Sequence, residues 1–203
     1  MSKLHLFISE KVQGEFILKD LNLMIVFQVN CPGCIASALP LIQNLYENSS
    51  DEIGIVGLST AFQYYNYNNI EHTRRLLDYG YLVDHSLSFM KQHGHDTLPY
   101  KITFPILMDA KMQPEQVEEV AQAILAQHEA YDELSDSEKE AAAIRIMSQL
   151  KKQSDLYITF TVNQFRGSPS FVLFNKDYEI MERWFGHTSK EDIEQRLARH
   201  SAH

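Results

Sequence analysis

The sequence predicts an α/β fold, a central sheet flanked by helices, interrupted by an inserted helical hairpin. Three observations lead there. Short apolar runs at residues 24–29, 53–59 and 170–174 alternate with segments whose apolar residues recur at helical spacing. The chain's two cysteines form one motif, Cys31-Pro32-Gly33-Cys34, placed where a strand run passes into a helical pattern. Residues 112–153 contain no strand-like run at all.

In chain order, residues 4–9 alternate loosely and suit an edge strand; Gly14 interrupts the pattern and residues 15–18 resume it. Residues 24–29 are nearly continuous apolar and suit a central strand covered on both faces. A helix follows over 34–47 from Ile35, Ala38, Leu39, Ile42, Leu45 and Tyr46, bent by Pro40. Residues 48–51 are a polar break, and 53–59 a second buried strand. Asn68 and Asn69 can cap a helix with Ile70, Leu76 and Leu77 inward, and Gly80 ends it. Residues 81–90 suit a further helix and 93–95 a loop. Pro105 places the strand at 103–108 on an edge or in its first turn.

Residues 112–153 then read as two helices. Val117, Val120 and Ile124 mark the first; the box Ser135-Asp136-Ser137-Glu138 starts the second, with Ile144, Met147 and Leu150 inward. Such a length exceeds an ordinary connection, so the expectation is one domain over residues 1–203 with an insertion at about 112–153. The insertion is expected to flank the cysteine groove, or else to serve dimerisation. Strand character returns at 156–165. A hairpin of 170–174 and 179–185 turns at residues 175–177, and Thr188-Ser189-Lys190-Glu191 opens a last helix with Ile193 and Leu197 inward.

With 203 residues, 44% hydrophobic and 22% charged, the chain is long enough for a real core. Its net charge of −9 speaks against a general affinity for nucleic acid or anionic membrane. No apolar run approaches the roughly 20 residues of a membrane span. Residues 1–16 lack a basic segment followed by an apolar one, so a cytoplasmic place is expected. There, two cysteines favour catalysis or redox chemistry over a structural disulfide.

A thiol at a helix N-terminus faces exposed N–H groups and the positive end of the dipole, which favour its thiolate. Pro32 suits the first helical position, where its missing N–H costs nothing. Cys31 is thus the expected nucleophile and Cys34, one turn inside, the resolving thiol. Half of a zinc site and a pair of inert buried thiols are the competing readings, the first short of the usual four ligands. Arg166 is a candidate for lowering the Cys31 pKa, or else a solvated surface residue. His93 and His95 are candidate metal ligands or plain surface residues. Tyr64, Tyr65 and Tyr67 line a groove or pack one end of the sheet.

The order of elements, with Cys31-Pro32-Gly33-Cys34 and Gly167-Ser168-Pro169-Ser170, resembles the thioredoxin-like fold, and within it the redoxin branch of TlpA-like and peroxiredoxin-like proteins. FQVNCPGCIASALPLIQNLY, GLSTAFQYYNYNN, ITFPILMD and RGSPSFVLF carry the likeness, over about 160 residues that exclude the helical hairpin. The resemblance implies a thiol–disulfide oxidoreductase with Cys31 and Cys34 catalytic. It also implies a cis Pro169 packed by the cysteines, and substrate contacts from Pro32, Gly33, Ser168 and Pro169. A disulfide-bearing or dithiol protein is then the expected partner, with a separate electron donor, no cofactor, and a monomer or dimer. Three departures matter. Asn30 replaces the common Trp, Ile25 replaces a buried acid, and the Pro and Thr of a peroxidatic motif are missing ahead of Cys31, Met24 and Phe27 being neither. The last counts against a thiol peroxidase. A soft-metal carrier holding copper or zinc through both thiolates is the other alternative.

Overall fold

The computed structural model describes residues 2–48, 52–128, 130–153 and 155–200. Six strands form one mixed sheet: β1 (Ile8–Gln13), β2 (Leu21–Phe27), β3 (Ile53–Ser59), β4 (Ile106–Asp109), β5 (Ser170–Asn175) and β6 (Ile180–Phe185). Their spatial order is β1-β4-β3-β2-β5-β6. The inner trio β4, β3 and β2 is parallel; β1 is antiparallel to β4, β5 to β2, and β6 to β5. The antiparallel β5–β6 pair, joined by a short turn, forms the expected hairpin.

Because β2 is covered on both faces, its alternate residues feed two separate cores. Leu21, Leu23, Ile25 and Phe27 face one side, with Ile35, Leu39 and Ile42 from the helix after the cysteines and Ile193 and Leu197 from the last helix. Met24 and Val26 face the other, with Val56, Leu58, Val172 and Phe174. Burying each such aliphatic stabilises the fold by about 1.5–3 kcal/mol, so this strand anchors both layers.

The helices are α1 (Leu39–Asn48), α2 (Ile70–Tyr79), α3 (Asp84–Gln92), α4 (Val117–Leu125), α5 (Asp136–Leu150), α6 (Ile158–Val162) and α7 (Lys190–His200). Asn69 caps α2 by accepting the His72 N–H, and Gly80 closes it at φ 65°, a left-handed conformation in which a Cβ is strained. Ser135 and Glu138 form the expected reciprocal box at the start of α5. Ser189 and Asp192 hold the start of α7 in the same way, one residue later than the expected box of Thr188 to Glu191. The expected break at residues 48–51 lies, apart from Asn48 at the end of α1, outside the described residues. Among the described residues, no helix is long and apolar enough to cross a membrane.

Several expectations are corrected. The edge strand is Ile8–Gln13, four residues later than the alternation suggested. Leu4 instead bonds Tyr178 beside β6 and packs on the Met24 face, so residues 2–7 cross that face before reaching the opposite edge. Residues 15–18 are not a strand; Phe16 and Leu18 pack on the same face. Strand β4 begins after Pro105 and lies inside the sheet, because β1 pairs along its outer side. The segment at 156–165 forms no strand but the short helix α6. Its β-branched composition is overridden by a carboxylate: Asp109 accepts the Thr159 N–H at 2.8 Å and the Phe160 N–H at 3.0 Å, satisfying two of the four donors that a helix start leaves free.

Residues 112–153 do form two helices, and their apolar faces close on α6. Val117, Val120, Ala121 and Leu150 share a core with Ile158 and Val162. In α5 the inward residues are Ala143 and Leu150, while Ile144 is exposed: α5 is rotated from the expected stripe so that small Ala143 approaches its neighbours.

Candidate active site

The cysteine motif sits where β2 ends and the helical segment begins. Pro32 occupies the first helical position, as its missing N–H allows. The Cys31 N–H donates to the Gln28 carbonyl at 3.2 Å, and the Ile35 N–H returns to the Cys31 carbonyl at 3.0 Å, closing the first turn over the thiol. Cys34 then enters a π-helical turn, Cys34–Ala38, that leads into α1. The bend expected at Pro40 takes this form: the Leu39 N–H reaches back five residues, to Cys34, just before the residue that has no N–H to give.

Both thiols are free, and their surroundings differ sharply. Cys34 is fully buried, whereas Cys31 is partly exposed. The Cys34 backbone N–H donates to the Cys31 sulfur at 3.2 Å, and the Cys31 thiol reaches the Ser168 carbonyl at 3.5 Å. The Cys34 thiol's hydrogen bond, then Ser168 and the backbone of Cys34 and Gly33, lower the Cys31 pKa to about 6 against the opposing effect of burial. Burial above all, then the hydrogen bond and charge of Cys31, push Cys34 well up. The pair is therefore polarised into one outer sulfur that ionises near neutrality and one inner sulfur that keeps its proton.

The Ser168–Pro169 bond is cis, as expected. Pro169 lies beside the motif: a Cβ placed on Gly33 would stand 3.9 Å from its Cδ. Gly167 lies against the half-exposed Phe185, and a Cβ there would come within 2.6 Å of that ring and turn it aside. An open groove of about 590 Å³ runs past the Cys31 sulfur, walled by Pro32, Ser168, Tyr64, His85, Phe89 and Arg166 among others. Of the expected substrate contacts, Pro32 and Ser168 line this groove. Gly33 and Pro169 instead line a small cleft of about 70 Å³ next to it, with Ser37 and His187.

Arg166 lines the groove, but the lowered Cys31 pKa is caused by Cys34, Ser168 and Gly33 rather than by that guanidinium. Of the three tyrosines, only Tyr64 faces the groove; Tyr65 stacks on Tyr157 and Tyr67 tilts against His72. His93 is exposed, bonds the Phe89 carbonyl and stacks on the Phe89 ring, and among the described residues no three His, Cys, Asp or Glu side chains gather as metal ligands. Among the described residues, none of the groove's walls comes from residues 112–153, so these do not line the groove as expected.

Asn30, noticed in the sequence only as a departure, has a structural task. Its Oδ1 accepts the N–H groups of His85 at 2.8 Å and Ser86 at 3.4 Å, capping α3 from fifty-odd residues away. Its own N–H donates to Asn68 Oδ1 at 2.9 Å. A polar residue ending an apolar run was the available signal; its partners were not visible. Tyr100 also escaped notice. Half-buried, it donates to the Ile35 carbonyl at 2.5 Å, inside the turn that carries Cys34.

No protein-family model matches the chain, and no curated protein does. Solved structures do. A thiol-disulfide isomerase from Corynebacterium glutamicum superposes with a TM-score of 0.60 at 16% identity, over 100% of this chain and 97% of that one. A thioredoxin-like superfamily protein gives 0.56 at 18% identity, over 99% and 97%. The oxidised form of a thioredoxin-like protein gives 0.50 at 13% identity, over 98% and 95%. With the six-stranded mixed sheet, its flanking helices and the two cysteines at the end of β2, these likenesses make the fold of this chain thioredoxin-like.

Proposed function

We propose that the protein is a thiol–disulfide oxidoreductase working through Cys31 and Cys34. The observation that carries this reading is the Cys34 N–H on the Cys31 sulfur at the wall of an open groove, with the second thiol buried directly behind. In the reducing direction the Cys31 thiolate attacks one sulfur of a substrate disulfide. A mixed disulfide forms and the other substrate sulfur leaves as a thiolate. Cys34 gives up its proton and displaces the remaining substrate sulfur, so that the Cys31–Cys34 disulfide forms and the substrate departs as a dithiol. The two electrons are restored by a separate dithiol donor. Loss of charge from Cys31 on forming the mixed disulfide removes one of the causes that hold the Cys34 pKa up, so the resolving step is favoured only once the first has occurred.

Pro32 and Ser168 are the proposed contacts for a peptide laid along the groove, with Pro169 and Gly33 shaping the adjoining wall. A protein disulfide is the proposed substrate class and the cytoplasm the proposed compartment. Residues 112–153 are read as an insertion that completes the layer around α6. The test is trapping. Cys34→Ala should accumulate mixed disulfides with a model protein disulfide, whereas Cys31→Ala should form none and lose turnover. Adducts formed through Cys34 in the Cys31→Ala variant would reverse the assignment.

A further inference from the structure

The turn that carries Cys34 has a defect in its hydrogen bonding, and the defect is filled from elsewhere. In an uninterrupted α-helix the Leu39 N–H would serve the Ile35 carbonyl. Here it serves Cys34 instead. A continuing π turn would then call on residue 40 for Ile35, and residue 40 is proline, which has no N–H. Ile35 is fully buried, so no solvent can compensate its carbonyl. The donor that reaches it is the Tyr100 hydroxyl, from a bend in the irregular segment before β4, sixty-five residues further along the chain. The Tyr100 ring packs on the same core as Cys34, Ile35 and Leu39.

We propose that Tyr100 is a positioning residue of the redox pair: its hydroxyl supplies the hydrogen bond that Pro40 withholds from Ile35, and so holds the turn that sets the Cys34 N–H against the Cys31 sulfur. The proposal rests on the redox reading of the two cysteines. A neutral donor suits the place. Ile25 offers no acid from β2, and burial, then the nearness of Cys34, keep Tyr100 protonated far above neutrality. The tyrosine therefore holds the turn at every working pH without placing a charge behind the thiols. Once the turn slackens, the Cys34 N–H is less well aimed, the Cys31 thiolate loses a donor, and its pKa rises.

Two substitutions and their combination test this. Tyr100→Phe keeps the ring and removes the hydroxyl. Pro40→Ala gives the helix a backbone N–H with which to serve the orphaned carbonyl. The measurement is the pH midpoint of Cys31 alkylation by iodoacetamide, alongside the dithiol–disulfide potential against glutathione. Tyr100→Phe alone should raise the midpoint by roughly one pH unit, about tenfold less thiolate below it. In the Pro40→Ala background the same change should move it by less than a third as much. An unmoved midpoint in Tyr100→Phe, or equal shifts in both backgrounds, overturns the proposal. Should Tyr100→Phe fail to fold, the combined variant must fold; its failure beside a folded Pro40→Ala would show that the hydroxyl matters for something other than the bond Pro40 withholds, and also overturns it. A wild-type protein with no reversible couple against glutathione sinks the redox reading and this proposal together, whereas a normal wild-type couple with an indifferent Tyr100→Phe sinks the proposal alone.

Discussion

Asn30, just beyond β2, and Asp109, the last residue of β4, stand at the same end of the sheet and perform the same structural task with different charge. Each is buried, and each caps a helix that begins far away in the sequence. Asn30 takes two N–H groups of α3. Asp109 takes two of α6, and the Thr60 hydroxyl at 2.7 Å. The carboxylate satisfies more donors, but burial, though opposed by those bonds, raises its pKa to about 6. The amide accepts fewer donors and carries no charge. The neutral cap is the one adjacent in sequence to Cys31, where a carboxylate would oppose the thiolate, and the ionisable cap belongs to α6, whose described residues do not line the groove.

The largest effect on either side of that comparison should come from Asp109→Ala. It strands two buried helix donors and a hydroxyl, each costing about 1–3 kcal/mol when unsatisfied. We expect a loss of about 3 kcal/mol or more in urea unfolding, with α6 and the α4–α5 pair loosened first in hydrogen exchange. A loss below about 1 kcal/mol would mean that α6 does not depend on this cap.

Asn30→Ala should cost less, about 1–2 kcal/mol by the usual worth of a helix cap, measured in the same way. Asn30→Asp keeps an acceptor for His85 and Ser86 but replaces the Nδ2 that donates to Asp84 Oδ2 at 3.2 Å by a second carboxylate oxygen. This added negative charge at the residue before Cys31 should raise the alkylation midpoint of Cys31 by about one pH unit. An unchanged midpoint would show that charge at residue 30 does not reach the sulfur.

The smallest effect concerns pH alone. A carboxyl whose pKa is higher folded than unfolded contributes most when protonated. The Asp109 contribution is thus full below its ordinary value of 3.8 and is lost as pH rises through about 6. Asp109→Asn should flatten the stability profile between these values while lowering it throughout, which unfolding curves at three pH values would reveal.

These comparisons also show which parts of the molecule were legible in the sequence. The strand at 53–59, the capped starts of α2, α5 and α7, the hairpin of β5 and β6 and the cis Pro169 were readable, because each rests on local patterning or on the resemblance. The run at 156–165 misled because Tyr157, Ile158, Thr159 and Val162 favour a strand, and the carboxylate that overrules them lies about fifty residues back, at Asp109. The placing of β4 inside the sheet depends on β1 pairing across from it, which no local signal carries. At the site, the two cysteines and Ser168 were evident. The groove's other walls, such as His85 and Phe89, gather from separate loops and helices, and the tasks of Asn30 and Tyr100 depend on partners dozens of residues away.

The central claim is that one sulfur is poised to attack and the other is held in reserve. Alkylation of the reduced protein with iodoacetamide across pH 4–10, with the modified cysteine located by peptide mass spectrometry, tests it most directly. The account predicts modification at Cys31 with a midpoint near 6, and Cys34 unreacted while the fold persists. A midpoint near that of an ordinary thiol, or modification at Cys34 first, would contradict it.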